Sequence, residues 1–220
     1  MITPNVMYLC VTDSDVEQLG LQLTSALAKV DDWASKNKLI LAPAKSSVTL
    51  FTPDSHQSRY HPQVMLQGHP IELDKKPRFL GVVFDTHYTF GPQIESLRTK
   101  GSKRLAVLKA VAGAEWGQDQ DLLANTFKMF VRSSYSYAAG IWGPVVKPGL
   151  VERRLQPIQN AALRLVSGCH RMASSDHVHH ETKVLPVLEH TEMLSAQFLA
   201  SCLQNIHLSP RSQLLLVPDK

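Results

Sequence analysis

Two pairs of aspartates, Asp13 with Asp15 and Asp31 with Asp32, are the first residues in the chain that could do chemistry. Paired carboxylates can hold a divalent cation through their oxygens. Asp13 and Asp15, however, directly precede an apolar periodic segment, where acidic side chains favour the positive end of a helix dipole. Asp31 and Asp32 fall near its other end beside Trp33 and read as solvated. His170, His177, His179, His180 and His190 crowd one stretch near Cys169. Imidazole and thiolate are good zinc ligands, but structural zinc sites use paired, regularly spaced ligands. No Cys pair exists here, and the adjacent His179 and His180 cannot share a helix face. A polar surface helix is the better account of them. There is no phosphate-binding glycine loop, nucleophile elbow or zinc-protease helix motif. No residue is singled out as catalytic or metal-binding.

Cations are more informative. Arg98, Lys100, Lys103 and Arg104 lie on one helical segment and are expected on the side away from Leu97, Leu105 and Leu108. Such a stripe can run along a phosphate backbone, each contact releasing counterions. Arg153 and Arg154 form a second cluster. Phe127 and Phe130 belong to an apolar stripe, so no aromatic stacking platform stands out.

The charge distribution agrees with that emphasis. Residues 1–90 carry 8 Lys/Arg against 9 Asp/Glu, residues 91–172 carry 12 against 5, and residues 173–220 carry 3 against 5. The basic middle block points to a polyanion, with nucleic acid the leading candidate. The chain has 220 residues, 44% of them hydrophobic and 19% charged, so it can bury a core and is not of disordered composition. No apolar run reaches the roughly 18–20 residues of a membrane-spanning helix, and no membrane partner is expected. Three scattered cysteines, Cys10, Cys169 and Cys202, make no disulfide framework and suit a reducing compartment.

These residues must be positioned by an α+β fold. Val6–Val11 has strand length, and Ser14 with Glu17 makes a capping box before a helix that runs to about Asn37. Its apolar face is Val16, Leu19, Leu23, Ala26, Leu27, Val30 and Trp33. Leu39–Leu41, Val48–Phe51 and Phe79–Phe84 read as strands, and Val64–Leu66 with Ile71–Leu73 as a hairpin around Gln67-Gly68-His69-Pro70. From about Phe90 the character turns helical: one helix to about Gly113, a second through Leu122–Val131, a third through Leu155–Leu165, a last from about Glu189 to Ile206. The expected organisation is a small α/β region over 1–90 and an all-α region over 91–220.

Several segments together resemble a known family. Trp33-Ala34-Ser35-Lys36-Asn37-Lys38-Leu39, followed by Pro43-Ala44-Lys45-Ser46-Ser47-Val48-Thr49-Leu50-Phe51, is similar to the stretch after the active-site strand of non-LTR retrotransposon reverse transcriptases. Arg78-Phe79-Leu80-Gly81-Val82-Val83-Phe84-Asp85 with Tyr88-Thr89-Phe90 resembles the family's K-x-L-G-V-x-x-D-x-x-L-T-F block. Trp142-Gly143-Pro144 and Leu155-Gln156-Pro157-Ile158-Gln159-Asn160-Ala161-Ala162-Leu163-Arg164 resemble its later segments. Order and spacing carry the likeness from about residue 6 to 206.

The resemblance implies that residues 1–90 are a partial, palm-like piece and 91–220 a thumb-like helical bundle with C-terminal helices. It implies an RNA/DNA template–primer duplex as partner. Lys45 would lie near the incoming nucleotide's phosphates, Phe79, Leu80 and Gly81 would form the primer-grip hairpin, and Arg98, Lys100, Lys103 and Arg104 would track the duplex. The family's Mg²⁺-binding aspartates end a Tyr-Ala-Asp-Asp turn that should fall on Thr3-Pro4-Asn5-Val6, where neither Asn5 nor Val6 offers a carboxylate. The expectation is a truncated, intracellular reverse-transcriptase piece. Mg²⁺ belongs to the intact enzyme, an upstream palm and fingers segment is missing, and the chain alone does not polymerise. The rival expectation is a decayed or domesticated helical protein-interaction module without nucleic-acid binding.

Overall fold

A computed structural model describes residues 7–113 and 119–206, the side chains of 205 and 206 excepted. The Thr3–Val6 segment therefore lies outside the described residues. The fold is α+β and divides into two compact units: Met1–Leu80 with Phe84–Tyr88, and Gly81–Val83 with Thr89–Lys220.

In the first unit, helix α1 spans Val16–Lys36. Its cap is Asp15, whose carboxylate accepts from Glu17 N, so the expected capping box on Ser14 is displaced by one residue. Asp13 accepts from Asp15 N and holds that cap in place. At the other end Asn37 N donates to Trp33 and Ala34 carbonyls, and Lys38 takes a positive φ of 58° that ends the helix. Gly20 and Ala34 are the buried residues of α1, while Val16, Leu19, Leu23, Ala26, Leu27 and Val30 are half-buried and Trp33 is exposed. The apolar stripe expected from the periodicity is thus only partly covered within this unit.

The strands are two residues each. β1 (Ser47–Val48) pairs in parallel with β4 (Glu72–Leu73), and β2 (Met65–Leu66) pairs antiparallel with β3 (His69–Pro70). The turn between β2 and β3 is Gln67-Gly68, with φ of 51° and 74°. Two successive positive φ values twist a two-residue hairpin to match its strands, so the hairpin is tighter than expected and leaves Glu72–Leu73 free to pair with β1. Leu39–Leu41 and the described part of Val6–Val11 take no strand, and Val48–Phe51 keeps only its first residue. The expected strand Phe79–Phe84 is also broken. It forms β5 (Arg78–Phe79) and β6 (Val82–Val83), because Leu80 and Gly81 have φ of 46° and 84°, outside the extended region.

The second unit is helical beyond β6. α2 spans Gly91–Val111. α3 (Gln120–Thr126) continues without a break through a π-helical stretch, Phe127–Arg132, into α4 (Ser133–Ser136). α5 (Ala139–Trp142), α6 (Pro148–Arg154), α7 (Gln156–Val166), α8 (Ser175–Thr182) and α9 (Val187–Ile206) follow. The core is built on Trp142, Tyr135, Phe127, Ile94, Leu97, Leu108 and Leu163, all fully buried. Two of its polar side chains are paired: Tyr135 Oη donates to Gln159 Oε1 at 2.8 Å, and Gln159 Nε2 donates to the Leu185 carbonyl at 2.7 Å.

Candidate nucleic-acid interface

Arg98, Lys100, Lys103 and Arg104 on α2 do not form one stripe. Residues seven apart on a helix fall within about 20° of each other. Arg104 is therefore aligned with buried Leu97, and Arg98 with buried Leu105. Of these four, Lys100 and Lys103 stand exposed with no ion pair among the described residues. Arg104 is half-buried: a terminal guanidinium nitrogen (Nη1) donates to the Phe130 carbonyl at 2.6 Å, and its guanidinium lies 5.1 Å from the Phe130 ring centre. That contact ties α2 to the π-helical stretch, where Ser133 Oγ also reaches the Phe130 carbonyl at 3.4 Å. Arg104 is a packing residue here. Arg98 Nε donates to Glu95 at 2.7 Å, and Arg154 Nε reaches the same carboxylate at 3.0 Å. Glu95 thus bridges the two basic clusters, and its hydrogen bond from Arg98, with both positive charges, holds its carboxyl below the usual range.

Lys45 closes a single 3₁₀ turn, Pro43–Lys45, just before β1 and is exposed. Phe79 and Leu80 are exposed too. At Gly81 an added Cβ would meet only the Tyr137 ring at 3.5 Å, an ordinary contact. Its φ of 84° is a conformation that glycine adopts freely.

Sequence reasoning missed an aromatic cluster in the first unit. Phe51 and Tyr88 stack with ring centres 4.6 Å apart. Phe84 sits edge-on to both, and Phe79 joins Phe84 at 6.3 Å and Tyr8 at 4.4 Å. The five residues come from four separate segments, so no local pattern announced them. Burial, with a smaller push from the neighbouring Cys10, raises the Tyr88 hydroxyl above its ordinary pKa.

The aspartates have structural duties: Asp31 accepts from Gln67 Nε2, and Asp32 pairs with Lys36. His179 is likewise engaged, Nδ1 with the Val184 carbonyl at 2.7 Å and Nε2 with Asn160 and Gln156. Among the described residues no three His, Cys, Asp or Glu side chains converge to hold a metal ion.

One buried polar group is set to titrate. His190 Nε2 lies 3.0 Å from Ser136 Oγ, while His190 Nδ1 and Arg132 Nε are buried without a hydrogen-bond partner. Desolvation, then the Arg132 charge, pushes the His190 pKa down to about 4. The unfolded chain takes up that proton near pH 6.5, so the stabilisation is complete above 6.5, declines as pH falls toward 4, and is flat below. Urea titrations between pH 7 and 4 should show this decline, and His190→Gln should flatten it. An equal decline in the variant would assign it to other groups.

Two curated proteins of Drosophila melanogaster are similar to this chain. The probable RNA-directed DNA polymerase from transposon X-element is 22% identical over 170 residues, 77% of this chain and 18% of that protein. The probable RNA-directed DNA polymerase from transposon BS is 23% identical over 150 residues, 68% of this chain and 16% of that protein. The chain thus spans less than a fifth of the length of the curated relatives it matches. No family model and no solved structure matches it. The likeness to these transposon RNA-directed DNA polymerases is distant but runs along most of the chain's length.

Proposed function

We propose that this chain is the template–primer-holding part of a non-LTR retrotransposon reverse transcriptase, with the first unit as distal palm and the helical unit as thumb. The similarity to transposon RNA-directed DNA polymerases over 77% of the chain carries this reading. On it, Lys100 and Lys103 meet duplex phosphates, Phe79-Leu80-Gly81 grips the primer end, and Lys45 serves the nucleotide phosphates. Arg98 adds to the field only as far as Glu95 leaves it uncompensated. Contact of this kind is made to phosphate and sugar, so binding has little sequence preference. The chain positions a duplex and does not itself extend a primer, since two-metal phosphoryl transfer needs carboxylates that its sequence does not offer at the matching turn.

The test is the salt dependence of binding to an RNA–DNA duplex. Each phosphate neutralised contributes a log–log slope of about −0.9 on B-form DNA, so Lys100→Ala with Lys103→Ala should flatten the slope by roughly 2. Arg104→Ala should lower stability with little change of slope. An unchanged slope in the double variant sides with a second reading, a helical protein-interaction module. One observation favours that module: Phe198, Leu199 and Leu203 stand exposed along α9.

A further inference from the structure

We infer that the first unit carries a site of its own for single-stranded polynucleotide, with a phosphate seated between Lys75 and Lys76 and a base stacked on the Phe51–Tyr88 face. It rests on the nucleic-acid reading above but uses none of the residues of α2. The starting observation is exposure. Tyr8, Phe51, Phe79 and Tyr88 keep 54%, 39%, 38% and 44% of their surface in water, although they form one cluster with Phe84. Rings gathered only to make a core would be covered. Here an aromatic surface wide enough for a base is left open.

The second observation is what lies beside it. Lys75 and Lys76, with Ser58, Asp85, Thr86 and His87, line an open cleft of about 270 Å³. Both lysines are exposed and make no ion pair among the described residues. Its lining carries two lysines against the single carboxylate of Asp85, a balance that favours an anion. The cleft and the ring cluster share one loop: Phe84 and Tyr88 supply rings, and Asp85, Thr86 and His87 between them line the cleft. Thr86 is two residues from either ring-bearing position, at most about 7 Å along the chain. The loop is held in place, with Thr52 N donating to the Thr86 carbonyl at 3.0 Å and His87 Nδ1 donating to the Thr52 carbonyl at 2.9 Å.

A fixed cationic cleft beside open aromatic faces is the combination that binds single strands, the backbone tracked by charge and the bases by stacking. An intact duplex offers its base faces only at an end, so the single strand is the occupant that uses both features. An apolar protein segment would use the rings and leave the lysines idle.

The experiment uses the full chain and a single-stranded oligodeoxynucleotide containing one 2-aminopurine, whose emission falls when it stacks on a ring. Binding should quench it. Phe51→Leu should weaken affinity about 5- to 150-fold, the equivalent of roughly 1–3 kcal/mol for one stacked base, and restore emission without altering the salt slope. Lys75→Gln with Lys76→Gln should instead flatten the slope by about 0.7, the contribution of one phosphate on a single strand. Should Phe51→Leu shift the thermal midpoint, Tyr88→Leu, which removes the other ring of that face, carries the stacking test. Unquenched emission, or parental affinity in the ring and lysine variants, overturns the inference. So does a parent chain that self-associates and loses that association in Phe51→Leu, because the rings would then serve a second copy. Loss of the α2 salt effect with the oligonucleotide results intact would sink the duplex reading and leave this site standing.

Discussion

Replacing Trp142 with alanine is expected to lower the stability of the helical unit by about 3–5 kcal/mol, the range for removing a large aromatic from a packed core. The indole is fully buried, and its Nε1 donates to the Tyr137 carbonyl at 3.0 Å. The substitution leaves a cavity and also removes that hydrogen bond, worth a further net ~0.5–1.5 kcal/mol. Domains of this size are stable by only about 5–15 kcal/mol, so the variant should melt far below the parent. Trp142→Phe fills most of the space and loses chiefly the hydrogen bond, so it should fall between the two. Urea denaturation of the three chains checks the order. A loss under about 1 kcal/mol in the alanine variant would mean that the short α5 is not part of the core.

The long helices were legible because apolar residues recurring every three and four positions leave few alternatives. Val16 through Val30 marked α1, and Ile94, Leu97, Leu105 and Leu108 marked α2, to within a few residues. α5 was not legible: four residues around Gly140 hold less than a full period of pattern, and Trp142 reads as core in any conformation. Phe79–Phe84 failed for a different reason. A nearly continuous apolar run suits a buried strand, and the one residue that marked the turn, Gly81, is preceded by Leu80, which carries no turn signal. The basic residues of α2 could have been sorted from the sequence. Arg104 follows Leu97 by seven positions, and Arg98 precedes Leu105 by seven, so both had to border the buried face while Lys100 and Lys103 did not. The aromatic cluster could not have been found that way. Tyr8, Phe51, Phe79 and Tyr88 meet only because β1 pairs with β4 and the 84–88 loop hydrogen-bonds back to Thr52, and such non-local pairings leave no trace in local spacing.

Gly143→Ala should produce the second large loss, and from the smallest possible change. A Cβ at Gly143 would stand 2.5 Å from the Ala139 carbonyl, 2.7 Å from Thr191 Cγ2 and 2.8 Å from Ser195 Oγ. None of these can yield cheaply. The carbonyl is backbone and already accepts from Gly143 N at 2.8 Å. Thr191 is buried, with its hydroxyl donating to the Val187 carbonyl at 2.7 Å. Ser195 Oγ lies 3.2 Å from that same Ala139 oxygen, so a methyl group would prise apart a contact between α5 and α9. Overpacking of this kind costs about 1–3 kcal/mol, occasionally more. Gly149→Ala is the matched control, since a Cβ there meets nothing within 4 Å and the residue lies inside α6. Its expected effect is neutral to stabilising by about 0.4–1 kcal/mol, through the unfolded chain's lost freedom. Thermal unfolding of the pair should therefore move in opposite directions. Equal shifts would show that α9 can retreat from α5 at no cost.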